Sequence, residues 1–200
     1  MWEIEAGGVL KIAHASHELA RLQIAREATA LAAIGAPAVP RLFEHGVLAD
    51  GRAWLAMEKL TGTSLAELCA RGRMPVDEVV ALGVRFLDAL AGVHAAGYVH
   101  RDIKPDNVIR RPDGSVVIFD LGLARKYPDD PDDPTRANVQ VGSLEYIAPE
   151  QLVDAASVDP RADLYAFGCI LFELCAGRPP FLGDAAALER AHAALRPPPL

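Results

Sequence analysis

The sequence predicts an α+β fold in two lobes, with strands gathered near the N-terminus and helices beyond them. Three observations predict it. Short apolar runs typical of strands fall at 9–13, 39–47 and 53–58. Beyond residue 63, apolar residues recur mainly at steps of three and four, the helical period. Thr61-Gly62-Thr63 interrupts both patterns and reads as a connector between lobes. The expected organisation is an N-terminal lobe over 1–58, a hinge over 59–62 and a C-terminal lobe over 63–200.

In the first lobe, Gly7-Gly8 precedes the strand-type run Val-Leu-Lys-Ile-Ala at 9–13. Residues 18–34 are rich in Ala, Leu, Arg and Glu, with Leu19, Leu22, Ile24, Ala28 and Leu31 near helical spacing. One helix is expected there, ended by Gly35 and Pro37. Asp50-Gly51 supplies the turn between the next two strands. In the second lobe, Val79, Leu82, Phe86, Leu90 and Val93 define an amphipathic helix over 77–96, closed by Gly97. Short strands are expected within 99–120, where Val116-Val117-Ile118-Phe119 runs straight into Asp120. The acidic run at 129–134 carries too little hydrophobic surface to bury itself. A buried helix over 159–177 and a last helix over 184–195 complete the reading. No internal repeat is present.

Two hundred residues suit one domain with a core large enough to fold. A hydrophobic fraction of 51% with 24% charged residues is that of an ordinary soluble globular chain. The net charge of −7 argues against a nucleic-acid partner. Cys69, Cys169 and Cys175 form no CxxC pair and read as buried, inert thiols in a reducing cytoplasm. No signal peptide is evident. The longest apolar run, 164–174, is too short to span a bilayer and carries Glu173, so no membrane segment is expected.

Residues 100–107 read His-Arg-Asp-Ile-Lys-Pro-Asp-Asn and narrow the function most. They set an acid (Asp102), a cation (Lys104) and an amide (Asn107) on one short loop. Phosphoryl transfer needs a group for the hydroxyl proton, a cation for the γ-phosphate and a ligand for Mg²⁺. Those three residues supply them in that order. Asp120-Leu121-Gly122 and Ala148-Pro149-Glu150 follow downstream. Together these segments resemble the catalytic loop, the metal-binding Asp-Phe-Gly and the close of the activation segment in eukaryotic-type (Hanks-type) bacterial Ser/Thr protein kinases. The resemblance runs from Val9 to about Leu200 and implies a two-lobed protein-kinase-like fold.

The resemblance also implies roles. Lys11 would hold the α- and β-phosphates of ATP, where an ordinary strand lysine is the plainer reading. Glu27, 16 residues on, would pair with Lys11, although Glu18 lies on the same helix. In Met57-Glu58-Lys59-Leu60, the Glu58 carbonyl and the Leu60 N–H would bond the adenine edge, with Met57 behind the pocket. A plain edge strand would look the same in sequence. Asp102 would accept the substrate proton, Lys104 marks Ser/Thr-directed members, and Asn107 and Asp120 would hold Mg²⁺. Leu121 keeps an apolar side chain for packing against Leu31 and His100. Ser143 would hydrogen-bond toward Asp102 and Lys104, and Asp163 would brace the catalytic-loop backbone. Arg101 would meet a phosphorylated activation-segment residue. The hydroxyl candidates between Asp120 and Glu150 are Tyr127, Thr135, Ser143 and Tyr146. Thr135 is the expected site, because Ser143 and Tyr146 have other work. The competing idea gives that work to Asp129, Asp130, Asp132 and Asp133.

Two features depart from the family. No G-x-G-x-x-G stands before Lys11, and the family's last helices, with the arginine that pairs at the Glu150 position, are not found. The expected fold is therefore incomplete at both ends, and Glu150 is left as an unpaired carboxylate. A fragment, a misplaced start and a degenerate copy all fit. The expected activity is transfer of the γ-phosphate of ATP, with Mg²⁺, to Ser/Thr hydroxyls of protein substrates. A fused sensor or effector domain in a longer parent protein is a possible partner. The alternative is a pseudokinase or inactive fragment serving as a nucleotide-binding or protein-interaction module. A small-molecule kinase is a third reading, opposed by the peptide-docking segment at 142–150.

Overall fold

The computed structural model describes residues 2–4, 7–14, 18–128, 143–154 and 158–200. The chain opens with an antiparallel sheet of β1 (Trp2–Ile4), β2 (Gly8–Ile12), β3 (Leu42–Val47) and β4 (Ala53–Glu58), in the order β1-β2-β4-β3. Between β2 and β3 runs α1 (Glu18–Ile34), with the bounds the sequence pattern predicts. Its buried residues are Ile24, Glu27, Ala28, Ala30 and Leu31, an apolar stripe interrupted by one acid. In β2, Val9 and Lys11 share a face by the two-residue period, and Lys11 pairs across to Leu55. That face and the acid on α1 bring Lys11 and Glu27 together.

β3 starts at Leu42, three residues later than the apolar run suggests. Pro40 removes a ladder donor at the edge of that run, which shortens the strand. β1 was not expected, because Trp-Glu-Ile is too short to show alternation.

The chain leaves β4 through 59–62 and enters β5 (Thr63–Ser64) and α2 (Leu65–Ala70). Gly62, at φ 142°, is required there: a Cβ would run into the Arg110 carbonyl oxygen. The unexpected α2 is one short turn of sequence capped by Ser64, whose Oγ accepts from the Glu67 N–H at 3.1 Å. The long α3 (Val76–Ala95) follows within a residue of prediction. Then come β6 (Tyr98–Val99), β7 (Val108–Arg110), β8 (Val116–Ile118) and β9 (Arg125–Lys126). β5, β7 and β8 form one small sheet, and β6 pairs with β9. α4 (Pro149–Val153), α5 (Arg161–Ala176) and α6 (Ala185–Ala194) complete the helical part.

Phe86 of α3 meets Phe167 of α5 edge to face, with centroids 5.2 Å apart. One apolar core runs through both parts of the molecule, joining Leu31 and Leu55 to Phe86, Leu121 and Ile170. Cys169 is buried as expected, whereas Cys69 and Cys175 are only half-buried, because they lie at the margin of the core. Burial pushes the Cys69 and Cys169 thiols up to about 12, away from the reactive thiolate. Glu150 is exposed, so a carboxylate there carries no burial cost. Among the described residues, no helix is long and apolar enough to cross a membrane.

Candidate active site

The loop from β6 to β7 carries Asp102, which is 8% exposed. Its Oδ1 accepts from the Ser143 N–H at 3.1 Å and the Ser143 Oγ at 3.3 Å. Its Oδ2 meets Lys104 Nζ at 3.0 Å and Asn107 Nδ2 at 3.2 Å. The same Asn107 Nδ2 also donates to the Asp102 carbonyl at 2.9 Å. Pro105 starts a 3₁₀ turn, Pro105–Asn107, which folds Asn107 back onto Asp102. The expected link between Ser143 and Lys104 therefore runs through the two oxygens of Asp102.

Beneath the loop, Asp163 of α5 is 1% exposed and accepts three hydrogen bonds. They come from the His100 N–H and the Arg101 N–H, each at 2.9 Å, and from His94 Nε2 at 2.8 Å. His94 lies in the last turn of α3, so two helices fix one loop. A second clamp is Gln151, whose Nε2 donates to the Arg101 carbonyl at 2.9 Å. Among the described residues, the non-glycine positions with positive φ are Arg101, at 70°, and Asp120, at 62°. Each such position costs about 1–3 kcal/mol and persists only where its surroundings over-determine it. Both lie in this site.

The second cluster joins three elements. Lys11 Nζ of β2 meets Glu27 Oε2 of α1 at 2.7 Å and Asp120 Oδ1 at 2.9 Å. Glu18 is exposed, so Glu27 is the partner on this helix. Burial opposes the charge on Lys11, but the two carboxylates outweigh it and raise its pKa. Burial also raises Glu27, and the nearby ammonium recovers only part of that shift. For Asp120, burial is outweighed by Lys11, then by His100 and Lys104, so its pKa falls and it stays ionised. A cavity of about 340 Å³ opens beside these groups, lined by Lys11, His14, Gln23, Glu27, Asp120 and Gly122. The two clusters are tied where the Phe119 N–H donates to the Asn107 carbonyl at 2.9 Å. His100, itself fully buried, adds its Nε2 contact to the Phe119 carbonyl at 3.0 Å, while Leu31 and Leu121 belong to the common core.

At the end of β4, Met57 is buried and Leu60 half-buried. The Glu58 carboxylate accepts from Arg111 Nη2 at 2.6 Å and from the Arg41 N–H at 3.2 Å. Thr135 and the acidic run at 129–134 lie outside the described residues. Sequence reasoning missed Gln151, His94 and Arg111. Gln151 carried one readable signal, its place as the third residue of a helix opened by Pro149. His94 and Arg111 carried none, since long-range partners set their roles.

A family model described as the protein kinase domain matches residues 6–196. The serine/threonine-protein kinase PknL of Mycobacterium tuberculosis is 40% identical over 162 residues, covering 80% of this chain and 39% of that protein. The serine/threonine-protein kinase pkn3 of Myxococcus xanthus is 36% identical over 190 residues, covering 90% and 34%. PknB of Mycobacterium leprae is 32% identical over 168 residues, covering 82% and 27%. The chain thus spans under two fifths of the length of each of these relatives. With a model match over nearly all its length and these relatives, the chain belongs to the protein kinase family.

Proposed function

We propose that the chain transfers the γ-phosphate of ATP to serine and threonine hydroxyls of protein substrates. The observation that carries this is the Asp102 carboxylate, held by Lys104, Asn107 and Ser143 in a nearly buried loop. Asp102 orients the incoming hydroxyl and takes its proton as oxygen bonds to the γ-phosphorus. The bond to the bridging oxygen breaks and ADP departs. Lys104 offsets charge on the transferring group, and Lys11 holds the other phosphates, oriented by Glu27. The backbone at Glu58 and Leu60 borders the adenine. The proposed division is an N-terminal lobe over 1–58, a hinge over 59–62 and a C-terminal lobe over 63–200.

The residues fit Mg²⁺. Asp120 stays ionised, and Asn107, whose Nδ2 donates to Asp102, would offer its amide oxygen as the ligand atom. One carboxylate and one amide suit a hard cation that shares its shell with phosphates and water. Among the described residues, no group of three His, Cys, Asp or Glu forms a site for a more demanding metal. When bound, Mg²⁺ neutralises phosphate charge. Nothing in the geometry favours the pseudokinase reading, since Lys11, Asp102, Asn107 and Asp120 are all present and bonded. Three free cysteines suit a reducing compartment such as the cytoplasm. Arg101 would pair with a phosphate on Thr135.

The test is incubation with Mg²⁺-ATP and a generic protein such as casein, followed by phosphoamino-acid analysis and mass spectrometry of the chain. Phosphoserine or phosphothreonine in the substrate, with phosphate on Thr135, is expected. No transfer would refute the enzyme reading, and phosphotyrosine alone would refute the substrate class.

A further inference from the structure

Arg101 occupies a left-handed turn, and its peptide groups are gripped from both sides. On one side its N–H donates to Asp163 Oδ1 at 2.9 Å. On the other its carbonyl accepts from Gln151 Nε2 at 2.9 Å. Gln151 is 5% exposed and belongs to α4, the helix that follows the segment bearing Ser143. Its Oε1 accepts from the Ala148 N–H at 3.2 Å, so one amide joins its own helix start to a loop 50 positions away. The void bounded by Arg101, Asp102, Ser143, Gln151 and Asp163 measures about 10 Å³, room for at most a single water. The contact has little slack.

We infer that Gln151 is a positioning residue: it holds the Arg101 peptide in its strained turn and so fixes the direction of Asp102. The inference rests on the transfer activity proposed above. The stretch from Ser143 to α4 contributes to Asp102 twice. Ser143 orients its carboxylate directly, and Gln151 sets the backbone from which that carboxylate extends. Reaction rates fall steeply when a reacting group moves by about 1 Å. The strain at Arg101 supplies the means, because without its clamp the peptide relaxes toward negative φ and Asp102 turns with it.

Two substitutions separate the two bonds of Gln151. Gln151→Glu can still accept from the Ala148 N–H, but an ionised carboxylate cannot donate to the Arg101 carbonyl. Gln151→Met has similar length and makes neither bond. Three quantities are measured on the whole chain: hydrogen exchange at the Arg101 and Asp102 amides, Mg²⁺-ATP affinity, and the rate of phosphate transfer. In both variants, exchange at the two amides should rise about tenfold while α3 and α5 stay protected. The transfer rate should fall about tenfold to a hundredfold, with ATP affinity within about twofold of wild type. Unchanged exchange at Arg101 and Asp102 overturns the inference. So does wild-type transfer by Gln151→Glu alongside a loss in Gln151→Met, which would reduce Gln151 to a helix cap. If the wild-type chain transfers no phosphate, the activity reading falls while the exchange comparison still decides the clamp.

Discussion

The cluster around Asp102 and the cluster around Lys11 are neighbours built in different ways. Asp102, Lys104 and Asn107 come from one short loop, and Asp163 locks that loop from a buried helix. Lys11, Glu27 and Asp120 come from three elements up to 109 positions apart. Their burial differs as well. Each holds one half-buried lysine, but the Asp102 side chain is 9% exposed and its brace Asp163 1%, whereas Asp120 is 44% exposed. The first cluster can move only if the core beneath it moves. The second can open by displacing one side chain, which suits the phosphate- and metal-binding role proposed for it. Both carry backbone strain, with Arg101 at one cluster and Asp120 at the other holding positive φ.

The contrast can be broken most severely at Asp163. Asp163→Ala leaves the His100 and Arg101 N–H groups and His94 without their acceptor, and should cost about 3–5 kcal/mol. Urea denaturation measures it. A loss under about 1 kcal/mol would show that the loop does not depend on its buried brace.

A smaller effect is expected at Lys11, because water reaches that cluster. Lys11→Met leaves the buried Glu27 without its cation and should cost about 1–3 kcal/mol near neutral pH. The pH dependence has a definite sign. The folded-state pKa of Lys11 is raised, so its stabilisation is complete below the ordinary lysine value of about 10.4 and is lost as pH rises through the folded value. That of Asp120 is lowered, so its stabilisation holds above the ordinary carboxylate value of about 4 and is lost as pH falls through the folded value. The raised Glu27 works the other way, favouring the fold below its ordinary value. The gap between wild type and Lys11→Met should therefore close at both extremes. A gap that is flat from acid to alkaline pH would deny the ion pairs.

The smallest effects lie at the end of β4 and just beyond it. Arg111→Ala removes a 2.6 Å contact between groups about a quarter exposed, and should cost about 1 kcal/mol. Lys59→Ala breaks an exposed pair with Glu3 and should cost under about 0.5 kcal/mol. Equal losses, measured by thermal denaturation, would mean that exposure does not grade these contacts.

How much of this was legible in sequence follows the same division. The loop around Asp102 was readable because its members are neighbours in the chain. Bounds of α1 and α3 were readable because long apolar periods mark them. β1, α2 and α4 escaped notice, since elements of three to six residues show too little period and are held by pairing and caps. Glu27 was chosen over Glu18 by resemblance and spacing, and the structure adds the physical reason, since Glu27 is buried and Glu18 exposed. For Gln151 only the place at a helix start was legible, not the clamp on Arg101. Its role depends on a carbonyl whose position no local pattern specifies.

The most direct test sets Asp102→Asn beside wild type and measures Mg²⁺-ATP affinity and phosphate transfer to a Ser/Thr protein substrate in the same samples. If the two clusters divide the work, nucleotide affinity should stay within about twofold while transfer falls by about 10²–10⁴. Transfer at the wild-type rate, or a parallel loss of affinity and transfer, would contradict the account.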